Sequence, residues 1–159
     1  MRQSLIAVCL PSLLAVCTAF AALPVHAAYV QPKIQHENYG TVRVVVPVTS
    51  ADAKVWAFKL HNIANGIDGA KAAGGEMLAE VVLYGPGLKM LVQPDTALTA
   101  TIDELRQAGV RFKICNNTLK GMDLDWHELY KVQESDIVPS GFLEVGWRAN
   151  QGWAVDAMN

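Results

Sequence analysis

The sequence predicts a three-layer α/β single domain on a mostly parallel, flavodoxin-like sheet of five strands. Three observations predict it. The apolar runs at residues 41–48 and 76–85 are nearly continuous rather than alternating, as in strands buried on both faces. Between such runs lie segments with apolar residues three and four apart, the period of amphipathic helices. Each connection is long enough for a crossover, so successive strands run parallel with helices on both faces. No repeat, low-complexity tract or second domain interrupts the alternation.

The elements follow in order. Residues 1–27 read as a cleavable export signal rather than as structure. Arg2 supplies the charged start, an apolar run extends from Leu5 to Ala22 with a break at Pro11, and Val25 and Ala27 are the small residues before a cut. A permanent anchor is the weaker reading, because the run is broken and short of a comfortable ~20-residue span. A lipidated Cys17 is disfavoured by bulky Val16 beside it. Residues 28–40 are polar and aperiodic, an extended arm, and the α/β domain is placed at 41–159.

"TVRVVVPV" is the first strand. Thr49 and Asp52 are spaced as a capping box for the helix that carries Trp56, Leu60, Ile63 and Ile67 on one face, with Gly74 and Gly75 ending it. "EMLAEVVLYG" is the second strand, leading to a tight turn at Gly85-Pro86-Gly87. Pro94 and Asp95 open a helix with Leu98, Ile102 and Leu105 on one face and Gly109 as the stop. "VRFKIC" is the third strand and "NNTLKGM" a short helix. "DLDWHELY" is loop plus a helical turn. Ile137 and Val138 make a short fourth strand, "GFLEVGWRANQG" a last helix, and "WAVDA" a final strand.

Removal of residues 1–27 leaves 132 of the 159 residues, with 12 Lys and Arg against 15 Asp and Glu, a net charge of −3. That balance points to neither nucleic acid nor an anionic membrane surface. Cys9 and Cys17 leave with the signal, so Cys115 has no partner for an intrachain disulfide. A lone thiol in an exported chain pairs between chains, is buried, or is used.

Cys115 is placed at the carboxyl end of the third strand, where open α/β sheets bind ligands. A flavodoxin-like order sets the first strand beside the third, which brings Thr49 and Ser50 next to Cys115 and leaves its sulfur open to solvent. The helix opening at Asn116 points free N–H groups of Asn116 and Asn117 toward the thiol, and Arg106, Arg111, Lys113 and Lys120 are near in sequence; both features favour the thiolate. Free cysteines are also among the most buried residues, so a packing role stands beside the reactive one. His36, His61 and His127 show no metal-ligand spacing, and neither metal nor cofactor is expected. His61, beside Asn62 on the first helix, is the candidate acid or base. The absence of Cys-x-x-Cys excludes dithiol exchange within one chain.

The stretches "HNIANGI", "VVLYGPGLKML", "ELRQAGVRFKICNNTLKGM" and "DIVPSGFLEVGWRANQGWA" resemble, in order and spacing, the DsrE/DsrF-like family of sulfur-relay proteins over roughly residues 41–156. The resemblance implies a small α/β sandwich assembled as a homotrimer or homohexamer. It implies a cysteine, here Cys115, that accepts sulfane sulfur as a persulfide and passes it on. Two departures stand out: Tyr84 occupies the position before the Gly-Pro-Gly turn where many relatives carry histidine, and the best-understood relays are cytoplasmic while this chain carries a leader.

Two functions are therefore carried forward. One is a periplasmic sulfur carrier or sulfurtransferase working through Cys115, whose partners are a sulfur donor or acceptor protein or a small sulfur anion. The other is a non-catalytic module in which Gly85, Gly87, Ser140 and Gly141 hold a small anion and Cys115 only packs. A cysteine hydrolase lacks a convincingly paired histidine.

Overall fold

The computed structural model describes Val30, Lys33, His36 and residues 38–157. The expected export signal lies outside the described residues, as does most of the arm. Thr41–Val48 forms strand β1, and Val45 and Val46 are both buried, as a continuous β-branched run demands when both faces are covered. Helix α1, Ala53–Ala72, is capped by Asp52, whose side chain accepts from Lys54 N at 2.8 Å; the Ser50 hydroxyl accepts from Asp52 N at 3.0 Å. The capping box led by Thr49 does not form. Asp is the stronger N-cap and Ser50 orients it, so the helix starts later. The C-terminus closes through Gly74, at φ +74, with Gly75 N donating to Ala70 O.

Strand β2, Glu76–Leu83, leads not into a tight turn but into a 3-10 helix, Gly85–Leu91, that buries Leu88, Met90 and Leu91. Pro86 at its start needs no hydrogen-bond acceptor, and the apolar residues behind it draw the segment onto the core. Gly87 is required there, since a Cβ would collide with the Val48 carbonyl. Helix α2, Thr96–Gln107, is capped by Asp95 and buries Ile102 and Leu105. Strand β3, Arg111–Cys115, runs directly into the short helix α3, Asn116–Met122. Strand β4, Ile137–Val138, helix α4, Gly141–Asn150, and strand β5, Ala154–Val155, complete the domain. Among the described residues no helix is long and apolar enough to cross a membrane.

The five strands form one all-parallel sheet in the order β4-β3-β2-β1-β5. Helices cover both faces. On one, α1, α2 and α3 contribute Leu60, Ile63, Ile102, Leu105 and Leu119 to a core with Val46, Val48, Val81, Leu83, Phe112 and Ile114. On the other, α4 covers a smaller core of Val45, Val82 and Trp153, with Tyr84 and Val145 against it. The architecture is the expected three-layer, flavodoxin-like α/β domain, but β2 stands between β1 and β3. The chain steps from β1 to β4 in one direction and returns only once, through α4, to place β5 beside β1.

Candidate functional site

That single return decides where the site lies. The loop leaving β3 goes to the face of α1, and the loop leaving β4 goes to the face of α4. Adjacent strands whose outgoing connections diverge create the crevice in which open sheets bind ligands. Cys115 sits at this divergence, paired in register with Val138 of β4. The expected kind of position is correct, but the neighbouring strand is β4 rather than β1.

Cys115 is both the last residue of β3 and the N-cap of α3. Along β3, Phe112 and Ile114 enter the larger core, so Arg111, Lys113 and Cys115 face α4. The Thr118 hydroxyl and the backbone N–H groups of Gly141, Thr118 and Asn117 are the donors that act on the sulfur, although the Cys115 side chain closes no cap hydrogen bond onto α3. Burial, the largest single effect, pushes the thiol up; the hydrogen bonds together outweigh it and hold it below its ordinary range. Thr118 is itself oriented, because Gly85 N donates to its hydroxyl oxygen at 2.8 Å. With its oxygen so occupied, the hydroxyl proton is left for the sulfur. Donors thus reach the thiol from α3 and from the first residue of α4, with Gly85 behind them.

Several expected site residues fall elsewhere. Cys115 is only 4% exposed, so its sulfur is not open to solvent as the sequence suggested; it lies beneath the first turn of α4. The Asn116 N–H is not among the donors, and Asn117 is. Thr49 and Ser50 lie beyond β2, two strand spacings or about 10 Å from Cys115. Ser50 is committed to its own loop, its hydroxyl to Asp52 N and its carbonyl to the Trp56 indole at 2.6 Å. Gly87 serves packing against β1. Ser140 caps α4 by accepting from Leu143 N at 3.4 Å, while Gly141 donates to the sulfur.

His61 is exposed on α1, about 12 Å along the helix from its first turn, on the opposite face of the sheet from Cys115. It is not brought to the thiol. Nor do the basic residues act as expected: Arg106 faces Asp136 at 3.7 Å, Arg111 faces Glu80 at 3.2 Å, and Lys113 donates to Ser135 O at 2.9 Å.

Thr118 is the residue that sequence reasoning left out of the site. Its signal was its position, third into a helix capped by Cys115, from which a hydroxyl reaches back to the cap as in a capping box. Beside the thiol, between α4 and the β3–β4 edge, is an open depression of about 500 Å³ lined among others by Lys113, Val138, Ser140, Leu143, Glu144 and Trp147. Among the described residues no group of three or more His, Cys, Asp or Glu side chains is placed to hold a metal ion.

No family model matches the chain, and no curated protein does. Among solved structures the chain is similar to a protein of unknown function from Methanobacterium thermoautotrophicum, at 29% identity and a TM-score of 0.62, with 72% of this chain and 97% of that chain covered. The likeness bears on architecture and carries no activity.

Proposed function

We propose that the chain is an exported sulfur carrier of the DsrE/DsrF-like kind, which holds sulfane sulfur as a persulfide on Cys115. The observation that carries this reading is the position of a single thiol at the end of β3, as N-cap of α3 and beside the start of α4, where one hydroxyl and three N–H groups favour its anion. Such a cradle stabilises negative charge on sulfur, which a nucleophilic thiolate and a persulfide anion both need and an inert packing cysteine does not. In the forward step the Cys115 thiolate attacks a sulfane sulfur of a polysulfide or of a partner's persulfide. The donor's sulfur–sulfur bond breaks, its remainder leaves with the electron pair, and Cys115 gains one sulfur. An acceptor thiolate attacking the outer sulfur reverses the process and releases Cys115 as thiolate. No oxidant is consumed. The leader-like start of the sequence favours the periplasm as the place of action, and the resemblance favours a homotrimer or homohexamer.

The burial of Cys115 at 4% exposure favours a second reading, a module in which the thiol only packs. One experiment separates them. The purified native protein is incubated with polysulfide and weighed by mass spectrometry, beside Cys115→Ser. A gain of ~32 Da per sulfur that disappears in the variant supports the carrier. A wild-type thiol inert to both polysulfide and iodoacetamide in the folded state overturns it in favour of the packing module.

A further inference from the structure

Glu80 is an anomaly in the middle of β2. It is fully buried, at 0% exposure, on the face covered by α4. Isolating a carboxylate there is costly, and an apolar pair of similar volume is often at least as stable as a buried ion pair. Its partner is Arg148, in the last turn of α4. Arg148 donates through Nε to Glu80 Oε1 at 2.8 Å and through Nη2 to Oε2 at 2.7 Å, a two-pronged fork. The guanidinium is flanked by the rings of Trp147, at 4.6 Å, and Trp153, at 4.9 Å. Arg111 approaches the same carboxylate at 3.2 Å, and Glu144 contacts Arg148 at 3.3 Å.

The placement of this cluster along α4 gives it a meaning. Arg148 follows Gly141 by seven residues, two helical turns, so both lie on the face of α4 that meets the sheet. Their partners are on one strand: Gly141 lies against the Tyr84 ring and Arg148 against Glu80. Val145 between them packs against the cluster of Val45, Val82 and Trp153. The helix therefore lies along β2 and runs opposite to it, its first residue over the carboxyl end. Gly141 has no side chain with which to hold that position, and a Cβ there would come within 2.9 Å of the Tyr84 ring. The fork at the other end is directional, and a slide of α4 by one residue, about 1.5 Å, would break both prongs.

We propose that Glu80 and Arg148 are the positioning pair of the thiol site: their fork sets where α4 lies along the sheet, and so holds the Gly141 N–H on the Cys115 sulfur. Arg148 lines the far side of the depression, but neither member of the pair is among the groups that act on the thiol, and the pair acts on the sulfur through the helix between them. Its functional meaning rests on the carrier reading, but its readout is the thiol alone.

The test is a pH titration of the Cys115 thiolate by ultraviolet absorbance near 240 nm, each chain measured against the same chain carrying Cys115→Ser. Two variants are compared with wild type. Arg148→Lys keeps the charge and loses the fork. Glu80→Met combined with Arg148→Met replaces the pair by apolar side chains. Arg111 and Glu144 lose these partners, but they carry opposite charges and both retain access to solvent, so the double variant is expected to fold even where the lysine variant does not. The expected result is a higher titration midpoint in each folded variant, with roughly tenfold less thiolate at neutral pH, as a shift of one unit implies. An unchanged midpoint in the folded double variant overturns the inference. A wild-type chain that titrates low, a variant that titrates high, and no sulfur uptake by either would support the positioning pair while overturning the carrier reading.

Discussion

Thr118 makes two hydrogen bonds of opposite sense, accepting from Gly85 N at 2.8 Å and donating to Cys115. A residue in that position transmits the geometry of one strand end to another: the loop after β2 fixes the hydroxyl, and the hydroxyl favours the thiolate at the end of β3. Thr118→Val keeps the shape and removes both bonds. The Gly85 N–H, part-buried, is then left without its acceptor, a loss of about 1–3 kcal/mol, and the thiol moves up toward its ordinary range. The pH dependence has a definite sign. A thiol held lower in the folded state than in the unfolded one contributes stability that is fully present above ~8.5 and is lost as pH falls through the native value. The urea midpoint of wild type should therefore rise with pH across that window relative to Cys115→Ser, and rise less in Thr118→Val. Equal slopes in all three chains would show that the hydroxyl does not act on the sulfur.

At the scale of elements, two glycines with opposite surroundings separate close approach from mere permissiveness. Gly87→Ala drives a methyl into the Val48 carbonyl, where backbone meets backbone and neither can move alone, and should cost at least ~1–3 kcal/mol. Gly69→Ala, on α1 with no atom within 4 Å of the added Cβ, should instead stabilise by about 0.5–1 kcal/mol. Thermal unfolding of the two variants checks both signs. The same contrast explains what was legible in the sequence. All five strands and four helices could be read, because each depends on local period and caps such as Asp95 and Gly109. The Gly85-Pro86-Gly87 segment was misread as a tight turn because the burial of Leu88, Met90 and Leu91 that extends it is a tertiary effect. Strand order was not legible at all. Nothing near Thr49 or Cys115 records that β2 comes between them; the lone return through α4 is a long-range pairing. For the same reason Cys115 and Asn117 could be assigned to the site, while the part played by Gly141 at the sulfur waited for the fold.

The whole molecule is unevenly covered. One face of the sheet carries α1, of 20 residues, and α2, of 12, whereas the other carries α4, of 10. The thinner layer leaves apolar surface on display. On the outer side of α4, Phe142 is 77% exposed, Leu143 65% and Trp147 48%, and at the uncovered end of the same sheet face Leu78 is 40% exposed and Val155 43%. A soluble monomer rarely shows a contiguous apolar patch beyond roughly 300–600 Å², and α4 alone contributes two aromatic rings and a leucine to this one. The surface is flanked by charges of both signs, Arg43 and Arg111 with Glu76, so a second copy of the same chain can meet it without repulsion. Light scattering at micromolar concentration should give the mass of a trimer or hexamer. Phe142→Glu should reduce it to a monomer. Phe142 is the most exposed large apolar residue of α4 and does not line the depression, so the thermal midpoint of the separated chain should change little and the titration of Cys115 should stay where the α4 fork holds it. A wild-type chain of monomeric mass would overturn the assembly part of the proposal while the thiol site stood.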